Sequence, residues 1–89
     1  RTEDVMALEP FADKWRTFGF DVIEIDGHDF DQVCGALDKG WAATEKPVFI
    51  LANTIKGKGV DFMEDNVVWH YGSADSALCE KAKACILKA

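Results

Sequence analysis

The apolar positions change their period along the chain, and each change marks the border of an element. Phe11, Trp15 and Phe18 recur at helical spacing behind Pro10, a residue suited to a first helical turn, and Gly19 supplies a stop. A short amphipathic helix is predicted there. Val22, Ile23 and Ile25 form a β-branched run broken only by Glu24 and ended by Asp26-Gly27, which predicts a strand buried on most sides. Asp29 followed three residues later by Gln32 has the form of a capping box, and Phe30, Val33, Cys34, Leu37 and Trp41 mark one face of a second helix reaching about Gly40.

The stretch from Pro47 to Ala52 is continuously apolar, the pattern of a parallel strand covered on both faces. Two strands joined by a helix predict a right-handed βαβ crossover. Between Lys56 and Gly72 no period is visible and three glycines occur, so a long loop is expected, and loops of that length in compact domains are usually functional. Ser73 or Asp75 caps a last helix in which Leu78, Ala82, Cys85, Ile86 and Ala89 share one side. The predicted order is α-β-α-β-loop-α, an α/β fragment of a doubly wound parallel sheet.

A two-stranded parallel sheet leaves two open edges and is too small to stand alone in water. The chain is therefore expected to be part of a larger sheet, or to complete its sheet with a partner. In such sheets ligands lie beyond the carboxyl ends of the strands, here Asp26-Gly27-His28 and residues 54–58.

Composition narrows the partners. A length of 89 residues allows one domain, and 48% hydrophobic with 29% charged residues lies within the globular range. The net charge of −6 argues against nucleic acid and anionic membranes as partners, since both need a cationic surface. The longest uncharged stretch, Pro47 to Ile55, is far too short to cross a membrane, and a cytoplasmic protein is the expectation. Cys34, Cys79 and Cys85 are odd in number and lack a CxxC pair, so reduced structural thiols are expected.

Three groups of residues offer chemistry. In Thr54-Ile55-Lys56-Gly57-Lys58-Gly59, glycines allow close backbone approach and lysines can neutralise an anion, although a solvated turn with two surface lysines reads the same way. At Trp69-His70 an imidazole can donate to phosphate or shuttle a proton near neutral pH, or simply pack beside Trp69. The cluster Asp26-Gly27-His28-Asp29 with Asp31 invites a metal, but its glycine is misplaced for a calcium loop and Asp29 is accounted for as a cap, so no metal ligand is assigned.

Taken together, residues 20–29, residues 54–60 and the stretch from Phe62-Met63-Glu64 through Trp69-His70 closely resemble transketolase, in order and in spacing. The resemblance runs from about Glu9 to Leu87 and implies that residues 1–89 are the C-terminal portion of a thiamine diphosphate-binding domain. It implies that Lys56 contacts the cofactor, and that His70 lies between the diphosphate and the reacting sugar, binding cofactor and acting in catalysis. The reaction implied is transfer of a two-carbon ketol unit between sugar phosphates. The resemblance places the Mg2+ ligands, and the glutamate that activates the cofactor, outside this chain. The implied partners are the remainder of the diphosphate-binding domain and a pyrimidine-binding domain, within a homo-oligomer. Alone, the chain is expected to be inactive. Many transketolases carry Gly directly after this His, whereas here Tyr71 stands there, which bears on the sugar substrate. A non-catalytic binding or assembly module, and a synthase making deoxyxylulose phosphate, are the alternatives.

Overall fold

In the computed structural model, which describes residues 1–88, the chain runs through α1 (Thr2–Val5), α2 (Phe11–Thr17), β1 (Asp21–Asp26), α3 (Phe30–Ala42), β2 (Val48–Asn53), a 3-10 turn (Val67–His70) and α4 (Ser76–Lys88). The predicted order holds from α2 onward. The single turn α1 has no apolar repeat to announce it, and the 3-10 turn interrupts the expected loop. Ala89, assigned by the sequence to the apolar side of the last helix, lies outside the described residues. The chain divides into two compact units, Arg1–Thr54 and the residues from Ile55 on.

The first unit is built on β1 and β2, which pair in parallel with Asp21 opposite Val48 and Asp26 opposite Asn53. Gly19 ends α2 at a φ of +92°, a conformation that costs glycine little. Trp15 of α2 stacks on Phe49 of β2 at 4.1 Å between ring centroids, and Phe11 and Phe20 meet Phe49 edge-on. These are the favoured geometries of aromatic packing. Arg16 ties α2 to β1, since its guanidinium bonds Asp13 at 2.7 Å and Glu24 at 3.2 Å. Neither strand is covered as fully as its pattern predicts. Val48 to Leu51 are half-buried, and within β1 only Ile25 is buried, because a two-stranded sheet has too little protein around it.

α3 turns a different face to the sheet from the one its large residues mark. Ala36 is buried, Val33 is half-buried, and a Cβ built on Gly40 would touch Val48 and Ile50. Phe30, Cys34, Leu37 and Trp41 are exposed. The reason is close approach: small side chains at 36 and 40 let the helix backbone settle on the strands, and the large residues lie roughly a quarter turn away.

Parallel pairing also decides which donors face outward. The N–H groups of Asp21 and Gly27 donate to Pro47 and Asn53, so by strand alternation the intervening Asp26 N–H points away from β2. It donates to Oε1 of Gln32 at 2.9 Å.

In the second unit, Asp75 and not Ser73 starts the last helix, its carboxylate accepting the Leu78 N–H at 2.8 Å. Among the described residues no helix is long and apolar enough to cross a membrane.

Candidate functional site

The stretch between Lys56 and Gly72 folds on itself through a series of short-range hydrogen bonds. The N–H of Val60 donates to Gly57 O at 3.1 Å, and the N–H of Met63 and Glu64 both donate to Val60 O. The N–H of Asp65 then returns to Lys56 O at 3.0 Å, closing the segment. Val60 is buried inside it, 7% exposed, and serves as its apolar centre. Gly57, at φ +73°, has no room for a side chain, since a Cβ there would lie 2.5 Å from the carbonyl oxygen of Met63.

Asn66 begins the 3-10 turn by accepting the Val68 N–H on its side-chain oxygen at 3.1 Å. The Trp69 indole N–H donates to Phe62 O at 3.1 Å, and the two rings lie 5.6 Å apart. Trp69 is thereby the anchor that fixes the turn. His70, the next residue, is exposed, with the Tyr71 ring edge-on at 4.9 Å.

The two lysines differ. Lys58 pairs with Glu64 at 3.9 Å, and Glu64 also accepts the Gly59 N–H at 3.0 Å. Lys56 is exposed and makes no ion pair among the described residues. Its ammonium is thus the less engaged of the two charges that this loop offers an anion. Sequence reasoning did not single out Glu64, which separates the two, nor Asn66. The Asx turn at Asn66-Val67-Val68 is the one of these with a local signal.

At the carboxyl end of β1, Asp26 Oδ1 accepts the His28 N–H at 2.8 Å. Asp29 caps α3, accepting the N–H of Asp31 at 2.9 Å and of Gln32 at 3.2 Å. The capping box is altered, however. Gln32 sends its amide oxygen to Asp26 N, while its Nε2 donates to Asp29 Oδ2 at 3.0 Å, and the Asp29 N–H goes to Asp26 O instead. These donors hold the Asp29 carboxyl below its usual range, the Gln32 backbone N–H foremost and the Gln32 amide next. Gly27 lies so close to β2 that a Cβ would fall 2.6 Å from Thr54 Cγ2.

An open cleft of about 220 Å3 in the first unit lies between Glu3, Glu9 and Phe11 and the end of β2 at Asn53 and Thr54. Glu3 accepts the Leu8 and Glu9 N–H groups at 2.8 and 3.0 Å, which hold its carboxyl below the usual range, the Glu9 bond foremost. Two carboxylates make this cleft unsuited to a diphosphate. No group of three or more His, Cys, Asp or Glu among the described residues is arranged to hold a metal ion.

Comparison with known proteins gives a consistent answer. Residues 2–84 match the family described as transketolase, thiamine diphosphate binding domain. One subunit of a 6-deoxy-6-sulfo-D-fructose transketolase from Clostridium sp. (strain MSTE9) is 46% identical over 69 residues, 78% of this chain and 25% of that protein. One subunit of an apulose-4-phosphate transketolase from Phocaeicola vulgatus is 36% identical over 81 residues, 91% of this chain and 29% of the relative. Human transketolase is 32% identical over 63 residues, 71% of this chain and 10% of its own length. The chain thus spans between a quarter and a third of the length of the two transketolase subunits it matches. With a match over nearly its whole length, it belongs to the transketolase family, in the thiamine diphosphate-binding domain.

Proposed function

We propose that this chain is a segment of a transketolase-like enzyme that transfers a two-carbon ketol unit between sugar phosphates, working only with the rest of its diphosphate-binding domain and a pyrimidine-binding domain in a homo-oligomer of the cytoplasm. The observation that carries the reading is the unpaired ammonium of Lys56, on a closed loop whose far end exposes His70. Lys56 fits a diphosphate oxygen, as a fixed positive charge beside glycines that let backbone come close. His70 can donate to a phosphate or sugar oxygen and exchange a proton there. The resemblance places the Mg2+ ligands in the part of the domain outside this chain, and among the described residues no group of three or more His, Cys, Asp or Glu is arranged to hold a metal ion. Thiamine diphosphate, when bound, supplies the electron sink for the two-carbon unit.

Two relatives are named for a sulfonated ketose and a sugar phosphate. Their names support a substrate class of sugars bearing an anionic group, and the place in carbohydrate metabolism that the resemblance implies is the pentose phosphate pathway. Tyr71, beside His70, stands where it can shape access for that substrate.

Kinetics of the intact enzyme test the two roles separately. Lys56→Met is expected to raise the apparent cofactor constant by about tenfold to a hundredfold, the scale of a lost charge-assisted contact of about 1.5 to 3 kcal/mol. Excess cofactor then restores turnover. His70→Ala is expected to lower turnover roughly a hundredfold at saturating cofactor. Wild-type turnover in His70→Ala at saturation would reduce His70 to an exposed residue resting on Tyr71.

A further inference from the structure

Two glycines leave the turn that carries Lys56 with little stiffness of its own. Gly57 and Gly59 both stand at positive φ, and glycine has more backbone freedom to lose on ordering than any other residue, so bonds from elsewhere must hold the turn in one shape. They come from two consecutive residues. The Asp65 N–H donates to Lys56 O at 3.0 Å and grips the start of the turn, while Glu64 Oε1 accepts the Gly59 N–H at 3.0 Å and grips its end. The first grip is backbone on backbone. The second depends on one side chain, the Glu64 carboxylate.

Glu64 is itself held where it can do this. Its N–H donates to Val60 O at 3.1 Å, Val60 is the buried centre of the loop, and the Glu64 side chain is 34% exposed. The same oxygen lies 3.9 Å from Lys58 Nζ, a long pair on a half-exposed side chain, so the shorter bond to Gly59 is the stronger tie. Charge by itself argues for the opposite effect. A carboxylate beside an anion-binding turn repels a diphosphate, and a residue acting only by its charge would weaken the cofactor there.

We propose that Glu64 is a positioning residue for the cofactor: by holding the Gly59 N–H, it keeps the turn of residues 56–59 in the shape that presents the Lys56 ammonium to a diphosphate oxygen. This rests on the cofactor role of Lys56. The effect of Glu64 passes through that lysine.

The test uses the intact enzyme stripped of cofactor, with thiamine diphosphate titrated calorimetrically in the presence of Mg2+ and turnover followed at saturating cofactor. Glu64→Ala is expected to raise the dissociation constant about five- to thirtyfold, the scale of ordering one freed residue, with turnover at saturation within about twofold of the unaltered enzyme. Glu64→Gln removes the same charge but keeps an acceptor for Gly59, and its constant should stay within about threefold of the unaltered enzyme. Lys56→Met alone should weaken binding, and Glu64→Ala added to it should cost less than about twofold more, since no ammonium is left to place. Unchanged or tighter binding in Glu64→Ala overturns the proposal and leaves the carboxylate a neighbouring charge only. Equal losses in the alanine and glutamine variants overturn it as well, as does a full further loss when Glu64→Ala is added to Lys56→Met. Turnover in Glu64→Ala that excess cofactor does not restore assigns Glu64 to the general stability of the domain, and also overturns it. Normal cofactor binding in Lys56→Met is a different failure: it removes the cofactor role of Lys56 first, and this inference with it.

Discussion

Alanine at Gly57 and at Gly59 should separate two costs that the loop combines. Both glycines have positive φ, +73° and +94°, so either substitution carries the left-handed penalty of an L side chain, about 1–2 kcal/mol. At Gly59 nothing lies within 4 Å of the new Cβ, and that penalty is the whole effect. At Gly57 the Cβ would also meet Met63, 2.5 Å from its carbonyl oxygen and 2.6 Å from its carbonyl carbon. These are backbone atoms, so the loop itself must shift, at a further cost of about 1–3 kcal/mol. The Asp65 N–H bond to Lys56 O lies across the same turns, which makes its amide the natural reporter. In native-state hydrogen exchange, Gly59→Ala should lower the protection of Asp65 by roughly five- to thirtyfold. Gly57→Ala should lower it by about thirtyfold or more, summing the two costs. Equal protection in the two variants would refute the steric account of Gly57. An unchanged Asp65 amide in Gly57→Ala would show that the loop is not closed through Lys56.

Other expectations follow from the turn after β1. The Asp29 carboxyl is held low in the folded chain, so its capping contribution is present above the ordinary carboxylate range and is lost as pH falls through the lowered value. Circular dichroism between pH 7 and about 2 should show this loss in the native chain, whereas Asp29→Asn, still a good cap, should lack that component. Gly27→Ala should destabilise the first unit by about 1–3 kcal/mol in urea denaturation, because its Cβ would meet Thr54 Cγ2, Ala52 Cβ and Asn53 O. Adding Thr54→Ser removes the nearest of these atoms and should restore part of the loss; no recovery would locate the conflict at the Asn53 backbone.

Features written in a few neighbouring residues were readable from the sequence. The two strands follow from Val22-Ile23-Glu24-Ile25 and from Pro47 to Ala52, and the start of α3 follows from the carboxylate of Asp29. Features decided by distant neighbours were not. The face that α3 buries depends on how near its backbone comes to β2, so Ala36 and Gly40 outweigh the larger Phe30, Leu37 and Trp41. The same holds for the candidate site. Lys56 and Lys58 look equivalent along the chain, and only the fold of the loop brings Glu64 to one of them. The Trp69 anchor likewise needs the carbonyl of Phe62, seven residues earlier, to be turned toward it.

The amide oxygen of Gln32 works on β1 as a stopper. A strand approaching from that side would find the Asp26 donor already taken, so its ladder would lose its last rung at the end of the sheet where ligands collect. The Val22 and Glu24 donors face the same way by strand alternation and keep the rest of that edge open, so Gln32 shortens the edge at the ligand end of the sheet without closing it.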